Sequence, residues 1–285
     1  SEEISYSLDD YPELIDHSFY PQKPGWKIAE DLFPVVPLSL TLENFGKKAL
    51  SLLPQKKLAK FENIGVYQWI KVAQPFRAIV EGQWMNNHTI HFKMENFADI
   101  DVVMQDDFSL IPANAESDLG ASIGEVSVED IYGNYMFHGP AYRGIRSVIK
   151  LGEKGIKGKI ASASGRGSLL DNAGQLFGLW LQHRFVDENI SFPVKVNSIE
   201  FFSDWMAQEG EFDCTCILRK ADVSFFTGDI IIEKNNKVWA LIKGWQNRRL
   251  EHDKRLWQLS INRTKTLMSS IIHPRIYLFD NAYKR

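Results

Sequence analysis

The stretch from Gly165 to Gln182 constrains this chain more than any other, because it sets an acidic residue inside an apolar segment. From Leu169 onward Leu169, Leu170, Ala173, Leu176, Phe177, Trp180 and Leu181 recur at helical spacing, which predicts a largely buried helix. Asp171 falls near its first turn, and Gln175 follows one turn later on the same face. Gly174 and Gly178 are also one turn apart, removing side chains where another backbone can approach. A carboxylate in such a place is costly to bury unless it is paired or used. Two readings stand open: Asp171 caps the helix or is satisfied by Gln175, or it is kept as a functional acid. Burial would raise its pKa and the helix N-terminus would lower it, and the sequence sets these two effects against each other.

Around this helix the chain reads as α+β. Residues 34–53 predict a first long helix, with Pro37 in its first turn, Pro54 ending it, and an apolar stripe of Leu38, Leu42, Phe45, Ala49 and Leu52. Short runs rich in β-branched and aromatic residues follow at 65–72, 76–82, 88–94 and 101–104, and Asn86 with Asn87 marks a turn. Residues 105–127 lack a sustained apolar face and read as a linker. A short helix over 127–136 comes next, then strands at 144–150 and 158–163, the central helix, and strands at 194–202, 212–220, 225–233 and 237–245. Helix plus strands thus occurs twice, as a repeat of architecture without a residue-by-residue repeat. The expected division is an N-terminal half over 1–106, a linker over 107–126 and a C-terminal half over 127–285.

Several function classes lose support. A net charge of -3 gives no whole-chain argument for nucleic acid or an anionic membrane. No apolar run approaches the roughly 20 residues that cross a bilayer, and the acidic N-terminus is unlike a secretion signal, so a cytoplasmic location is expected. The chain starts without Met, as a piece of a longer protein would. Cys214 and Cys216 point to one strand face and read as unreactive thiols. His88 and His91 face opposite ways in a strand and read as surface residues. Residues 244–257 interleave Arg with Trp, which fits a surface segment with packed tryptophans better than a nucleic-acid face, since Glu251 and Asp253 offset part of the charge. Gly165 and Gly167 do not complete a phosphate loop, no His/Glu cluster has zinc spacing, and no nucleophile elbow occurs.

Three segments carry a resemblance. Leu169 to Gln175 (Leu-Leu-Asp-x-x-x-Gln) resembles the second catalytic motif of polyketide synthase dehydratase domains. Phe137 to Gly144 resembles their Tyr-Gly-Pro-x-Phe motif, with His138 at the tyrosine position and Tyr142 at the phenylalanine. Leu14 to His17 resembles the segment that carries their histidine, and the three occur in the family's order across nearly the whole chain. The dehydratase domains of polyunsaturated fatty acid synthases are similar.

The resemblance implies a double hot-dog fold with one site between the halves, where water is eliminated from a β-hydroxyacyl thioester to give an enoyl thioester. It implies His17 as base and Asp171 as acid, Gln175, His138 and Tyr142 as support, and Gly25, Gly139 and Pro140 at the substrate pocket. Amide donors for the thioester oxygen are expected from the loop over 24–37 and the first long helix. The family places Gly four residues after its histidine and Pro five further on; here Gly25 is eight and Pro34 seventeen after His17, an extended loop. No cofactor or metal is implied, because the acyl group arrives on the phosphopantetheine arm of an acyl carrier protein. The implied partners are that carrier domain, for which Arg248 and Arg249 are a candidate contact, other synthase domains of the same polypeptide, and a second copy in a homodimer. The same fold and residue pair also suit double-bond isomerisation, product-template cyclisation, or an inactive acyl-holding module.

Overall fold

The computed structural model describes residues 1–20, 22, 26–112, 118–185 and 189–251. In chain order they form β1 (Glu2–Tyr6), α1 (Leu38–Leu52), β2 (Lys57–Val66), β3 (Phe76–Trp84), β4 (Thr89–Met94), β5 (Ala98–Gln105), β6 (Ser122–Gly124), α2 (Val128–Asp130), β7 (Ile145–Gly152), β8 (Gly155–Ala161), α3 (Ser168–Arg184), β9 (Asn189–Phe201), β10 (Glu211–Ala221), β11 (Phe225–Lys234) and β12 (Lys237–Glu251). The strands join one antiparallel sheet in the order β1-β3-β4-β5-β2-β9-β12-β11-β10-β8-β7-β6. The first half supplies β1 to β5 and the second β6 to β12, so the seam is the β2–β9 ladder, where Phe61 pairs with Ile199. α1 packs on β2 and β5, α3 packs on β7 to β10, and the two helices touch each other. This is the double hot-dog arrangement: two helices, each wrapped by its own half of a curved sheet.

Alternation drives the wrapping. In β5 every second residue from Ala98 to Met104 is buried, which places one strand face on α1. α3 buries Leu169, Leu170, Ala173, Leu176, Phe177, Trp180 and Leu181, the residues whose periodicity predicts it. α1 buries Leu42, Phe45 and Ala49 as expected, but Leu52 at its end is exposed and Leu40 takes its place in the core. Pro37 stands just ahead of α1, at the N-cap.

The strand expected over 65–72 is not one element. β2 ends at Val66, and the following residues leave the sheet: the Val36 amide donates to the Ile70 carbonyl and the Val72 amide to that of Pro34. Apolar and aromatic content alone does not tell sheet pairing from pairing with a loop. Within the segment read as a linker, β6 joins the sheet edge by pairing with β7, whereas residues 113–117 of it lie outside the described set. Cys214 and Cys216 are buried with sulfurs 3.9 Å apart, and burial pushes the Cys216 thiol well up. His91 is half-buried against Asp101, 2.6 Å away, rather than a bare surface residue. Among the described residues no helix is long and apolar enough to cross a membrane.

Candidate active site

His17 closes the short 3-10 turn over Pro12–Asp16, and its ring packs against those of Phe137, His138 and Tyr142. Its Nδ1 lies 2.8 Å from the Val35 carbonyl oxygen, and the Val35 amide donates to the His17 carbonyl at 3.1 Å. The Phe19 amide donates to Phe33 and that of Tyr20 to Leu32, so the chain leaving His17 and the chain returning to α1 form a short antiparallel ladder. The extra residues of the extended loop therefore lie beyond this ladder, and the extension does not displace the histidine. Gly25, within that extension, lies outside the described residues.

Asp171 comes from the first turn of α3, whose N-cap is Gly167 at φ 74°. A Cβ on Gly167 would fall 2.7 Å from the Leu40 amide nitrogen, so only glycine lets the starts of α3 and α1 meet this closely. Gln175 Nε2 donates to Asp171 Oδ2 at 2.7 Å and to the Tyr142 carbonyl at 2.8 Å, while the Tyr132 hydroxyl donates to Gln175 Oε1 at 3.3 Å and accepts the Ile145 amide. Arg166, beside Gly167, pairs with Glu13 and donates to the Asp10 carbonyl, latching the α3 start to the turn that carries His17.

The two halves converge. His17 Nε2 stands 3.7 Å from Asp171 Oδ1, and His138 Nε2 stands 3.5 Å from Asp171 Oδ2. No spacing in the sequence announces this cluster, because its members come from three separate segments. His138 stacks on Phe137, and its Nδ1 is buried without a hydrogen-bond partner. Burial pushes the His138 pKa down to about 3, with the His17 and Arg143 charges adding to the fall and Asp171 opposing it. For Asp171, burial raises the pKa, but the His17 ring, the pull of His138 and the Gln175 hydrogen bond outweigh it and hold the carboxyl below its usual range. Of the two effects the sequence left balanced, desolvation loses, and the cause is the paired histidines.

A cavity of about 160 Å³ opens beside these groups. Its wall includes Phe19, Val35, Trp69, Phe137 and Phe192, and α3 contributes Asp171, Gly174, Gln175 and Gly178. Three expectations need correction. Gly139 and Pro140 do not line it: the Gly139 amide donates to the Asp16 carbonyl at 2.6 Å, a Cβ there would strike the Asp16 carboxylate at 2.2 Å, and Pro140 is exposed. The Gly-Pro turn is thus a clamp on the His17 segment, completed by the Ala141 amide donating to Asp16 Oδ2. Tyr142, expected in support, is fully buried behind His17, rings 5.2 Å apart, and donates to the Arg166 carbonyl. Gly174 and Gly178 admit no neighbouring backbone: a Cβ on Gly174 would meet the Trp245 indole at 2.7 Å, and one on Gly178 only Met136 at 3.9 Å. Arg249 also departs from a surface reading, since it donates to the Asp222 carbonyl, covers the Phe226 ring and lines the cavity, while Arg248 is exposed. Trp257 and everything else past Glu251 lie outside the described residues.

Two residues escape sequence reasoning. Ser39, in the first turn of α1, is buried, lines the cavity, and has a hydroxyl without a partner. The Leu40 and Thr41 amides donate to the Pro37 carbonyl, which leaves those of Leu38 and Ser39 as the first-turn amides without an intrahelical acceptor. Tyr132, whose phenol burial raises to about 12, anchors the Gln175 amide.

No protein-family model and no curated protein matches the chain. Solved structures do. The dehydratase domain from the CurF module of curacin polyketide synthase is similar at a TM-score of 0.67 and 13% identity, over 87% of this chain and 92% of that one. A trans-AT polyketide synthase dehydratase domain from Brevibacillus brevis gives 0.68 and 15%, over 87% and 93%. The dehydratase domain of a mycocerosic acid synthase-like polyketide synthase gives 0.67 and 15%, over 86% and 88%. These likenesses establish the fold that the chain shares with polyketide synthase dehydratase domains.

Proposed function

We propose that this chain is a dehydratase domain that removes water from a β-hydroxyacyl thioester held on a carrier protein. The observation that carries the reading is the meeting of His17 and Asp171 across the seam of the two halves, beside an apolar cavity. Support also comes from the structural neighbours, among which are an inactive histidine-to-phenylalanine variant of the curacin CurJ dehydratase and an inactive aspartate-to-asparagine variant of the CurK dehydratase.

His17 Nδ1–H donates to the Val35 carbonyl, which leaves the Nε2 lone pair free to take the proton beside the thioester carbonyl. Asp171 gives a proton to the departing β-hydroxyl, which leaves as water while the C–H electron pair becomes the double bond. The enzyme then holds imidazolium and carboxylate. Neutral His17 with protonated Asp171 has the same number of protons, so the two forms are one coupled pair and a single transfer between Nε2 and Oδ1 resets it. The lowered carboxyl pKa favours the carboxylate in the unliganded site. Substrate entering the cavity removes water from that ion pair and favours the neutral form. Negative charge on the thioester oxygen is met by the Ser39 hydroxyl and the first-turn amides of α1.

Isotope-free mass analysis of a 3-hydroxyacyl group loaded on a carrier protein tests the reading. Loss of one water from the acyl group, abolished in His17→Ala and Asp171→Asn, is the expected result. A product of unchanged mass would instead place isomerisation or cyclisation first, and no product at all an acyl-holding role.

A further inference from the structure

We infer that His17, His138 and Asp171 also form a binding site for a divalent transition-metal ion of the zinc class, in the seat that the substrate would occupy. Their ligand atoms all lie within 4.8 Å of one another. A tetrahedral ion bonded at about 2.0–2.1 Å to nitrogen and oxygen needs ligand-to-ligand edges of about 3.4 Å. His17 Nε2 is 3.7 Å from Asp171 Oδ1 and His138 Nε2 is 3.5 Å from Oδ2, each within a few tenths of that edge, and no edge among the three ligand atoms exceeds 4.8 Å.

The surroundings suit an ion in three further respects. His17 Nδ1 contacts the Val35 carbonyl at 2.8 Å, the kind of outer contact that orients a metal-binding imidazole and leaves Nε2 as the ligand. Gln175 donates to Asp171 Oδ2 and fixes the carboxylate in the same way. His138 is buried with Nε2 turned to the Asp171 carboxylate, and the cavity supplies an entry path and an open fourth position. The third ligand exists because His138 stands where the resembled motif has tyrosine, and a phenol would bind such an ion far less readily. An ion here occupies the Nε2 lone pair of His17. The binding claim stands on geometry alone; its consequence, reversible inhibition, rests on the dehydratase reading.

The chain, freed of metal by dialysis against chelator, is titrated with Zn2+ by calorimetry and with Co2+ by visible absorption. Expected are one ion per chain, a four- or five-coordinate Co2+ spectrum, and affinity weakened about tenfold or more in His138→Ala and Asp171→Asn. Thermal midpoints in chelator identify any variant that has not folded, and His138→Gln then serves in place of His138→Ala. His91→Ala, which removes the half-buried pair with Asp101, should leave binding unchanged. The inference is overturned if the parent takes up no stoichiometric ion, or if His91→Ala weakens binding and the His138 variants do not. If Zn2+ binds as expected but no dehydration is detectable in chelator, the metal site stands and the dehydratase reading falls. If both hold, Zn2+ should stop turnover and chelator restore it.

Discussion

The two halves deliver their groups to one cavity by different means. The first holds His17 by hydrogen bonds to main chain alone, Nδ1 on the Val35 carbonyl and the carbonyl under the Val35 amide, so its position follows the path of the chain, with neighbouring rings only packing on it. The second holds Asp171 through side chains, Gln175 directly and Tyr132 behind it. Under the proposed reading, one half supplies a base set by the chain path and the other an acid set by its side-chain partners. Substitutions around Asp171 should grade activity, whereas substitutions around His17 should either leave activity intact or disturb the fold.

The largest effect tests whether both halves are needed. His17→Ala and Asp171→Asn should each lower kcat/KM for a β-hydroxyacyl thioester by about 10²–10⁴-fold, the usual worth of a positioned acid or base. The double variant should fall little below the worse single one, because one proton transfer serves both groups. Fully multiplicative losses would break the picture of a coupled pair.

Next in size is the contribution of α1. Ser39→Ala should lower kcat by about 10²-fold, the low end of the range for removing one oxyanion donor, and change KM little. Equal kcat in the variant would separate the buried hydroxyl from the reaction. Gln175→Ala should cost about tenfold and Tyr132→Phe less, with Gln175→Glu shifting the pH profile because it sets a second carboxyl beside Asp171. That grading belongs to the second half alone.

A pH experiment isolates the third group. With His138 pushed down to about 3 in the folded chain and ordinary when unfolded, the unfolded chain binds more protons between about pH 3 and 6.5. Stability is therefore lost as pH falls through that window, by at most about 1.4 kcal/mol per pH unit from this ring. Asp171, held below its usual range, adds its own loss only below about pH 4. Urea midpoints of His138→Phe in chelator should thus be flatter than the parent's from pH 6.5 to 4. An unchanged slope would mean that the ring takes its proton without penalty.

How far the sequence foretold this arrangement depends on what kind of signal each residue leaves. α3 was legible because its apolar period is broken by one acid, and Asp171 with Gln175 follows from helical spacing. His17 leaves no such mark: it sits in a turn, and only the motif resemblance singles it out. Ser39 was illegible because a serine in a helix's first turn is ordinary; its meaning comes from burial without a partner. Gly139 and Pro140 are expected at the pocket only through the resemblance of their motif, and a shared motif does not tell which side of a turn faces the cavity. The cluster of His17, His138 and Asp171 is a property of the seam between halves, and the β2–β9 pairing that makes the seam has no local signature.

The smallest effect concerns the far side of α3. Gly178 faces the cavity with room for a Cβ, its nearest neighbour 3.9 Å away, whereas Gly174 is closed by Trp245. Alanine at 178 should therefore stabilise the helix by about 0.5–1 kcal/mol, as Gly-to-Ala changes in helix interiors do, without strain. The same methyl occupies space that an acyl chain would use, so long substrates should lose a few-fold in kcat/KM while short ones keep theirs. Alanine at 174 should instead destabilise, because its methyl overlaps the indole. If both alanines behaved alike, the glycine pair would be a packing stripe; if only position 178 sorts substrates by length, the second half sets chain length as well as acidity.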